Sequence, residues 1–276
     1  MVFSATEMIK QRKSVRTFDG RELTAADRES LVDYISRMDN PFHVSVDFRL
    51  LDAKEYDLSS PVISGANTYM AAKVKRVEHF EIAYGYSFEK ACLYALSLGI
   101  GTVMLAASLS RSTFEKAMDV QEDEVLPTAS PVGYPAEKRS VLERLMRKAL
   151  KADDRILFSK LFFDGSFDKG LSKEAAAEGD LGVFAESLEM ARLAPSAANK
   201  QPWRAVVERD RVHFYEYQTM KESPLGDVQK VDVGIALCHF DMSMEEAGIA
   251  GEFVFEDPEI KAPEGVHYIV TYILPH

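Results

Sequence analysis

Between Lys90 and Arg111 the chain carries no charged side chain. Twenty such residues in a row either cross a bilayer or are enclosed by a core large enough to surround a helix. Ser97, Gly99, Gly101, Thr102, Ser108 and Ser110 interrupt the run, so it reads as a buried helix, a turn and a second apolar element. The helix is expected over 85–98, closed by Gly99, with Ile100 folding back onto its last turn. A chain of 276 residues, 46% hydrophobic and 28% charged, supplies that core as one large domain or two modest ones and excludes disordered or disulfide-stapled classes. The second half holds a counterpart helix at about 231–247. Gly234 to Gly248 spans the same 14 positions as Gly85 to Gly99, and both end in Gly-Ile. With helix, strand, long helix, strand expected in each half, this points to an internal duplication.

Forty-four acidic against 33 basic residues give a net charge of −11, which argues against nucleic acid or an anionic membrane as partner. Cys92 and Cys238 lie 146 positions apart with no CxxC pairing, so neither a disulfide framework nor a zinc ribbon is expected, and a reducing cytoplasm fits. Glu7 and Lys10 fall where a secretory segment would be uncharged. His43, His79, His213, His239, His267 and His276 have no ligand spacing, and HExxH, P-loop, GxGxxG and GxSxG patterns are missing, so no metal site is expected.

Ser4-Ala-Thr-Glu7 reads as a capping box, and Thr24 caps a second helix with Leu31, Ile35 and Met38 on one face. Strands are expected at 44–51, more weakly at 62–65, then at 126–132, 204–207, 212–217 and 268–274. From Glu137 to Lys160 eight basic residues face four acidic ones, with an apolar stripe of Val141, Leu142, Leu145, Met146, Ala149 and Leu150. This reads as a connecting helix with a solvated face. The expected organisation is a first half over 1–136, a basic connector over 137–180 and a second half over 181–276.

Two segments stand out, although taken alone the first also reads as a solvated charge run and the second as a helix stop packed by Trp203. Arg12-Lys13-Ser14-Val15-Arg16 places three cations and a hydroxyl within five residues of an acidic chain, and guanidinium forks suit an anion with a heteroaromatic part. Ala194-Pro-Ser-Ala-Ala-Asn-Lys-Gln-Pro-Trp203 fixes a short loop with two prolines, keeps side chains small where a ligand approaches the backbone, and offers Asn199 and Gln201 as donors and acceptors.

With Leu98-Gly-Ile-Gly-Thr102 and Gly133-Tyr-Pro135, these segments resemble the motifs of the FMN-dependent nitroreductase superfamily, and their distribution resembles its internally duplicated "putative TM nitroreductase" subgroup. The resemblance implies an α+β fold, a mainly antiparallel sheet surrounded by helices, with two similar halves forming a pseudo-dimer. It implies FMN as cofactor, NADH or NADPH as electron donor, and a nitroaromatic, quinone or flavin as small-molecule acceptor, with no catalytic acid or base because the flavin carries the chemistry. Arg12, Lys13, Ser14 and Arg16 are implied at the phosphate, ribityl chain and pyrimidine edge. Pro195, Ser196 and Ala197 are implied to line the ring, with Asn199 and Gln201 ordering that loop or touching the cofactor. Ala106 and Ala107 stand where relatives send a backbone N–H towards the flavin, which requires negative φ, and Arg155 or Arg139 is implied at the phosphate. Arg16 and Pro195 lie 179 positions apart, and each motif occurs once. One FMN per chain is therefore expected, on a monomer acting as a pseudo-dimer or on a weak homodimer. A flavin-binding sensor or storage module without turnover is the alternative.

Overall fold

The computed structural model describes residues 3–275; the reading of His276 lies outside them. The chain divides into two units. One comprises Gln11–Asp153 with Pro224–Gly226, and the other comprises the chain up to Lys10, Asp154–Ser223 and the chain from Asp227. Where the charge run suggested a connector over 137–180, its first part belongs to one unit and its remainder to the other.

Helix α1 (Ala5–Gln11) starts as expected, with Ser4 Oγ accepting from the Glu7 N–H at 3.3 Å. In the 11–153 unit follow α2 (Ala25–Ser36), β1 (Val46–Asp52), β2 (Thr68–Lys75), α3 (Phe80–Ser97), β3 (Gly101–Thr102), α4 (Arg111–Ala117), β4 (Glu124–Val125), β5 (Ala129–Gly133) and α5 (Val141–Ala149). The sheet runs β1-β2-β5-β3 with β4 also on β2, antiparallel throughout. Thr24 caps α2 through its hydroxyl, and Leu31 and Ile35 turn inward. Met38 lies beyond the helix end.

The weak strand expected at 62–65 is only a single bridge, Thr17 to Ser64. The central strand is instead β2, buried along nearly its whole length. Lys73 is tolerated there because its ammonium reaches Glu124 at 2.8 Å and the Asp119 carbonyl at 2.9 Å. Helix α3 begins at Phe80, earlier than expected, and is buried almost all round. It ends as anticipated: Gly99 takes a φ of 76° and Ile100 N–H bonds the Ala95 carbonyl at 2.9 Å.

The other unit holds α1, α6 (Phe158–Leu161), β6 (Phe162–Asp164), α7 (Lys173–Ala176), α8 (Ala185–Arg192), β7 (Trp203–Val207), β8 (Arg211–Tyr217), α9 (Val228–Glu246), β9 (Glu252–Val254) and β10 (Val266–Ile273). Its sheet runs β6-β7-β8-β10-β9, antiparallel except for β6 beside β7. Each unit is thus α+β, a five-stranded sheet with one long buried helix. Among the described residues, no helix is long and apolar enough to cross a membrane.

Candidate functional site

The segment from Arg12 to Phe18 is held extended by backbone partners. Val15 N–H bonds the Thr102 carbonyl at 2.9 Å, Phe18 N–H bonds the Ser64 carbonyl at 2.9 Å, and Asp19 N–H bonds the Tyr134 carbonyl at 3.0 Å. Two motif glycines permit this seating. A Cβ on Gly101 would sit 2.9 Å from Val15 Cβ, and one on Gly133 would sit 3.1 Å from the Phe18 ring. The basic segment, Leu98–Thr102 and Gly133–Pro135 are therefore one packed assembly. Gly101→Ala is expected to displace Val15 at a cost of about 1–3 kcal/mol by overpacking, checked by urea unfolding; wild-type stability would show that the segment is not locked there.

The arginines at the two ends of this segment differ. Arg12 donates from Nε to Glu89 Oε1 at 2.6 Å and from Nη2 to Oε2 at 3.0 Å, with the two side chains 5% and 0% exposed. The fork expected at the phosphate, ribityl chain or pyrimidine edge of FMN is closed on a carboxylate of α3. Cys92, on the same helix, has its thiol pushed up to about 12, chiefly by burial.

Arg16 is half-buried, and its Nε is enclosed without a hydrogen-bond partner among the described residues. Burial foremost lowers its pKa; Glu143 opposes this, while Arg147 and Arg12 add to it. Helix α5 supplies that surrounding. Ser140 caps it, and Glu143 accepts from Thr17 Oγ1 at 2.8 Å and from Arg16 N–H at 3.3 Å, with Arg139 Nε 3.5 Å from its other oxygen. Arg147 pairs with Asp153. The expected orientation of α5 is thereby corrected. Its polar Glu143 is buried, whereas Val141 and Leu145 of the apolar stripe are 64% and 60% exposed. Hydrogen bonds from the basic segment, rather than burial of the stripe, decide which face turns inward.

Lys13 is exposed and Ser14 half-buried. Ala106 is half-buried, Ala107 exposed, and neither takes a left-handed φ.

In the other unit, the loop after α8 holds three non-glycine residues in the left-handed region: Ala198 (φ 50°), Asn199 (φ 54°) and Gln201 (φ 50°). Such conformations persist only where neighbours over-determine them. Here Ala197 N–H bonds both oxygens of Asp232 at 3.1 and 3.0 Å, and Ser196 Oγ accepts from Gln201 N–H at 2.8 Å. Gln201 Oε1 accepts from Ile156 N–H at 2.9 Å, and Asn199 Nδ2 reaches the Asp154 carbonyl at 3.1 Å. The two amide side chains thus order the loop against residues 154–156. Arg155 donates from Nε and Nη2 to the Leu193 carbonyl at 3.3 and 3.0 Å. Pro195 and Ser196 are half-buried.

Glu89, Glu143 and Asp232 were not singled out from the sequence. For Glu89 and Asp232 a signal exists: each is an acidic residue inside a helix whose burial leaves it no water. The Asp232 carboxyl is raised well above the usual carboxylate range by burial, with Asp227 and Glu216 adding and the Ala197 N–H opposing.

The model of the family described as "Putative TM nitroreductase" matches residues 4–244. The solved structure of a "putative nitroreductase" from Thermotoga maritima is 19% identical with a TM-score of 0.63, covering 99% of this chain and 94% of that one. A "Putative NADH dehydrogenase/NAD(P)H nitroreductase" from Bacteroides thetaiotaomicron is 20% identical over 51% of this chain and 91% of that one, with a TM-score of 0.43. An FMN-dependent nitroreductase from Clostridium difficile is 12% identical over 48% and 88%, with a TM-score of 0.42. None of the curated protein sequences matches the chain.

Proposed function

The chain belongs to the "Putative TM nitroreductase" family, and on that premise we propose that it is a cytoplasmic FMN-dependent oxidoreductase. It takes electrons from NADH or NADPH and passes them to a small-molecule acceptor, a nitroaromatic, a quinone or a free flavin. The observation that carries the reading is Arg16, a half-buried guanidinium whose enclosed Nε has no hydrogen-bond partner among the described residues, with Arg147 and Arg12 as well as Glu143 acting on it. An anionic ligand is what such a group lacks. Arg16, Lys13 and Ser14 hold the phosphate, ribityl chain and pyrimidine edge, while Arg12, closed on Glu89, positions the segment. Ala106 and Ala107 offer backbone N–H groups. Pro195, Ser196 and Ala197 keep the role that the resemblance implies for them, and Asn199 and Gln201 fix the loop that carries them. Arg155 is the further candidate for the phosphate.

When bound, FMN supplies the hydride and electron transfer; the residues named bind and orient it, and no side chain is needed as acid or base. The shared plan of the two units, each with a long helix ending at Gly-Ile, supports an internal duplication. Because the basic segment and the proline-bounded loop each occur once, one FMN per chain is expected. The test is spectral. Protein reconstituted with FMN should be yellow, bleach anaerobically with NADH or NADPH, and recover colour with acceptor. Arg16→Ala should fold yet bind FMN at least about tenfold more weakly, since a hydrogen bond to a charged group contributes roughly 1.5–3 kcal/mol. A wild-type protein that stays colourless overturns the reading, and colour without bleaching leaves only the binding module.

A further inference from the structure

We propose that Arg204, the second residue of β7, is a binding point for a small oxyanion, a carboxylate or phosphate, separate from the role given to Arg16. In a chain with an acidic excess of 11, two arginines on the same unit pair with carboxylates: Arg192 with Glu189 at 2.7 Å and Arg211 with Asp210 at 3.1 Å. Arg204 does not. It is half-buried, yet among the described residues it makes no ion pair. Burial lowers its pKa to about 10, with only the Tyr217 hydroxyl opposing, so the group carries charge at neutral pH with little around it to compensate.

Its geometry is that of a prepared fork. Nη1 donates to the Gln201 carbonyl at 2.9 Å and to the Trp203 carbonyl at 2.6 Å, while the guanidinium carbon stands 5.2 Å from the centre of the Tyr217 ring. Two carbonyls and one aromatic face thus fix the plane of the group. Nε and Nη2 make no hydrogen bond to the described residues, and neither is sealed from solvent. That is the edge through which a guanidinium grips a carboxylate or phosphate with two parallel bonds. Tyr217 is 40% exposed, so the edge is reachable. The fixed atoms spare a ligand the cost of ordering a flexible side chain, which is where lysine would be inferior.

The strand explains the placement. Trp203 is fully buried, so alternation turns Arg204 to the opposite face, the one it shares across the ladder with Tyr215 and, diagonally, Tyr217. Arg204 also ties the left-handed Gln201 to the first strand residue, so occupation of the fork bears on the strained loop.

The test is an NMR titration of protein labelled with 15N-arginine, in excess FMN, with the Arg204 Nε–H signal assigned by its loss in Arg204→Lys. Sodium phosphate and sodium acetate are titrated against sodium chloride at matched ionic strength. The expected result is a saturable displacement of that signal by phosphate or acetate and none by chloride; which anion acts identifies the ligand class. No displacement by either, or an equal one by chloride, overturns the proposal. The signal belongs to Arg204 whether or not FMN binds, so failure of the flavin reading would not be mistaken for failure here.

Discussion

Glu89→Ala is expected to destabilise the protein by about 3–5 kcal/mol, because it removes one member of a buried ion pair and strands the other. The Arg12 fork is 5% exposed and the Glu89 carboxylate fully buried, so neither water nor salt replaces the lost partner. Desolvation of Arg12 is the largest single influence on it, yet Glu89 and, after it, Cys92 together outweigh it and leave the guanidinium pKa raised. Arg12→Ala should cost a comparable amount by taking the guanidinium away from a carboxylate buried inside α3. A double replacement, Arg12→Met with Glu89→Leu, should recover most of the loss, since an apolar pair of similar volume escapes both desolvation costs. Urea unfolding of the two single variants and the double one checks this. Additive losses would mean that the residues act separately and that Arg12 is held for another purpose, such as direct contact with an anion. The same series bears on colour: if Arg12 positions the segment, the double variant keeps FMN, whereas Arg16→Ala loses it.

That contrast shows what was legible in the sequence. The glycines and prolines of the motifs answer local demands of the backbone, so their residue types announce themselves; Gly101 under Val15 and Gly133 under Phe18 are examples. The partners of the charged residues are set by tertiary placement. Glu89 lies 77 positions from Arg12, Glu143 lies 127 from Arg16, and Asp232 lies 35 from Ala197. A cation cluster could therefore be read as such, while the division between a closed fork at Arg12 and an unfilled one at Arg16 could not. Strand β2 failed for a related reason. Thr68–Lys75 shows no clean alternation and puts Lys73 in the interior, where only Glu124 and the Asp119 carbonyl make it acceptable. For α5 the helical period was plain and the buried face was not, because Glu143 outweighs four exposed apolar residues once Thr17 and Arg16 are in place.

Removing the Asp232 carboxylate is expected to release the strained loop. Asp232→Ala takes both carboxylate oxygens away from the half-buried Ala197 N–H, at about 0.5–1.5 kcal/mol for the lost hydrogen bond. It also removes one of the restraints that hold Ala198, Asn199 and Gln201 at positive φ. The loop should exchange its amide protons faster while β7 and β8 stay protected, which separates local release from global unfolding. Asp232→Asn keeps an acceptor for Ala197 and deletes the titration. The direction of the pH effect follows from the raised carboxyl. A group whose pKa is higher in the folded state stabilises it fully below the unfolded value, and that contribution fades as pH rises through the folded one. Other carboxyls act in the opposite sense, among them Glu189, whose pKa is lowered by Arg192 against the effect of its own burial. The informative quantity is therefore the difference between wild type and Asp232→Asn. Above the ordinary aspartate range of roughly 4, the wild type should lose stability relative to the variant as pH rises, measured by urea unfolding at a series of pH values. A constant difference would mean that Asp232 keeps one protonation state throughout, and that the loop is latched by the hydrogen bond alone.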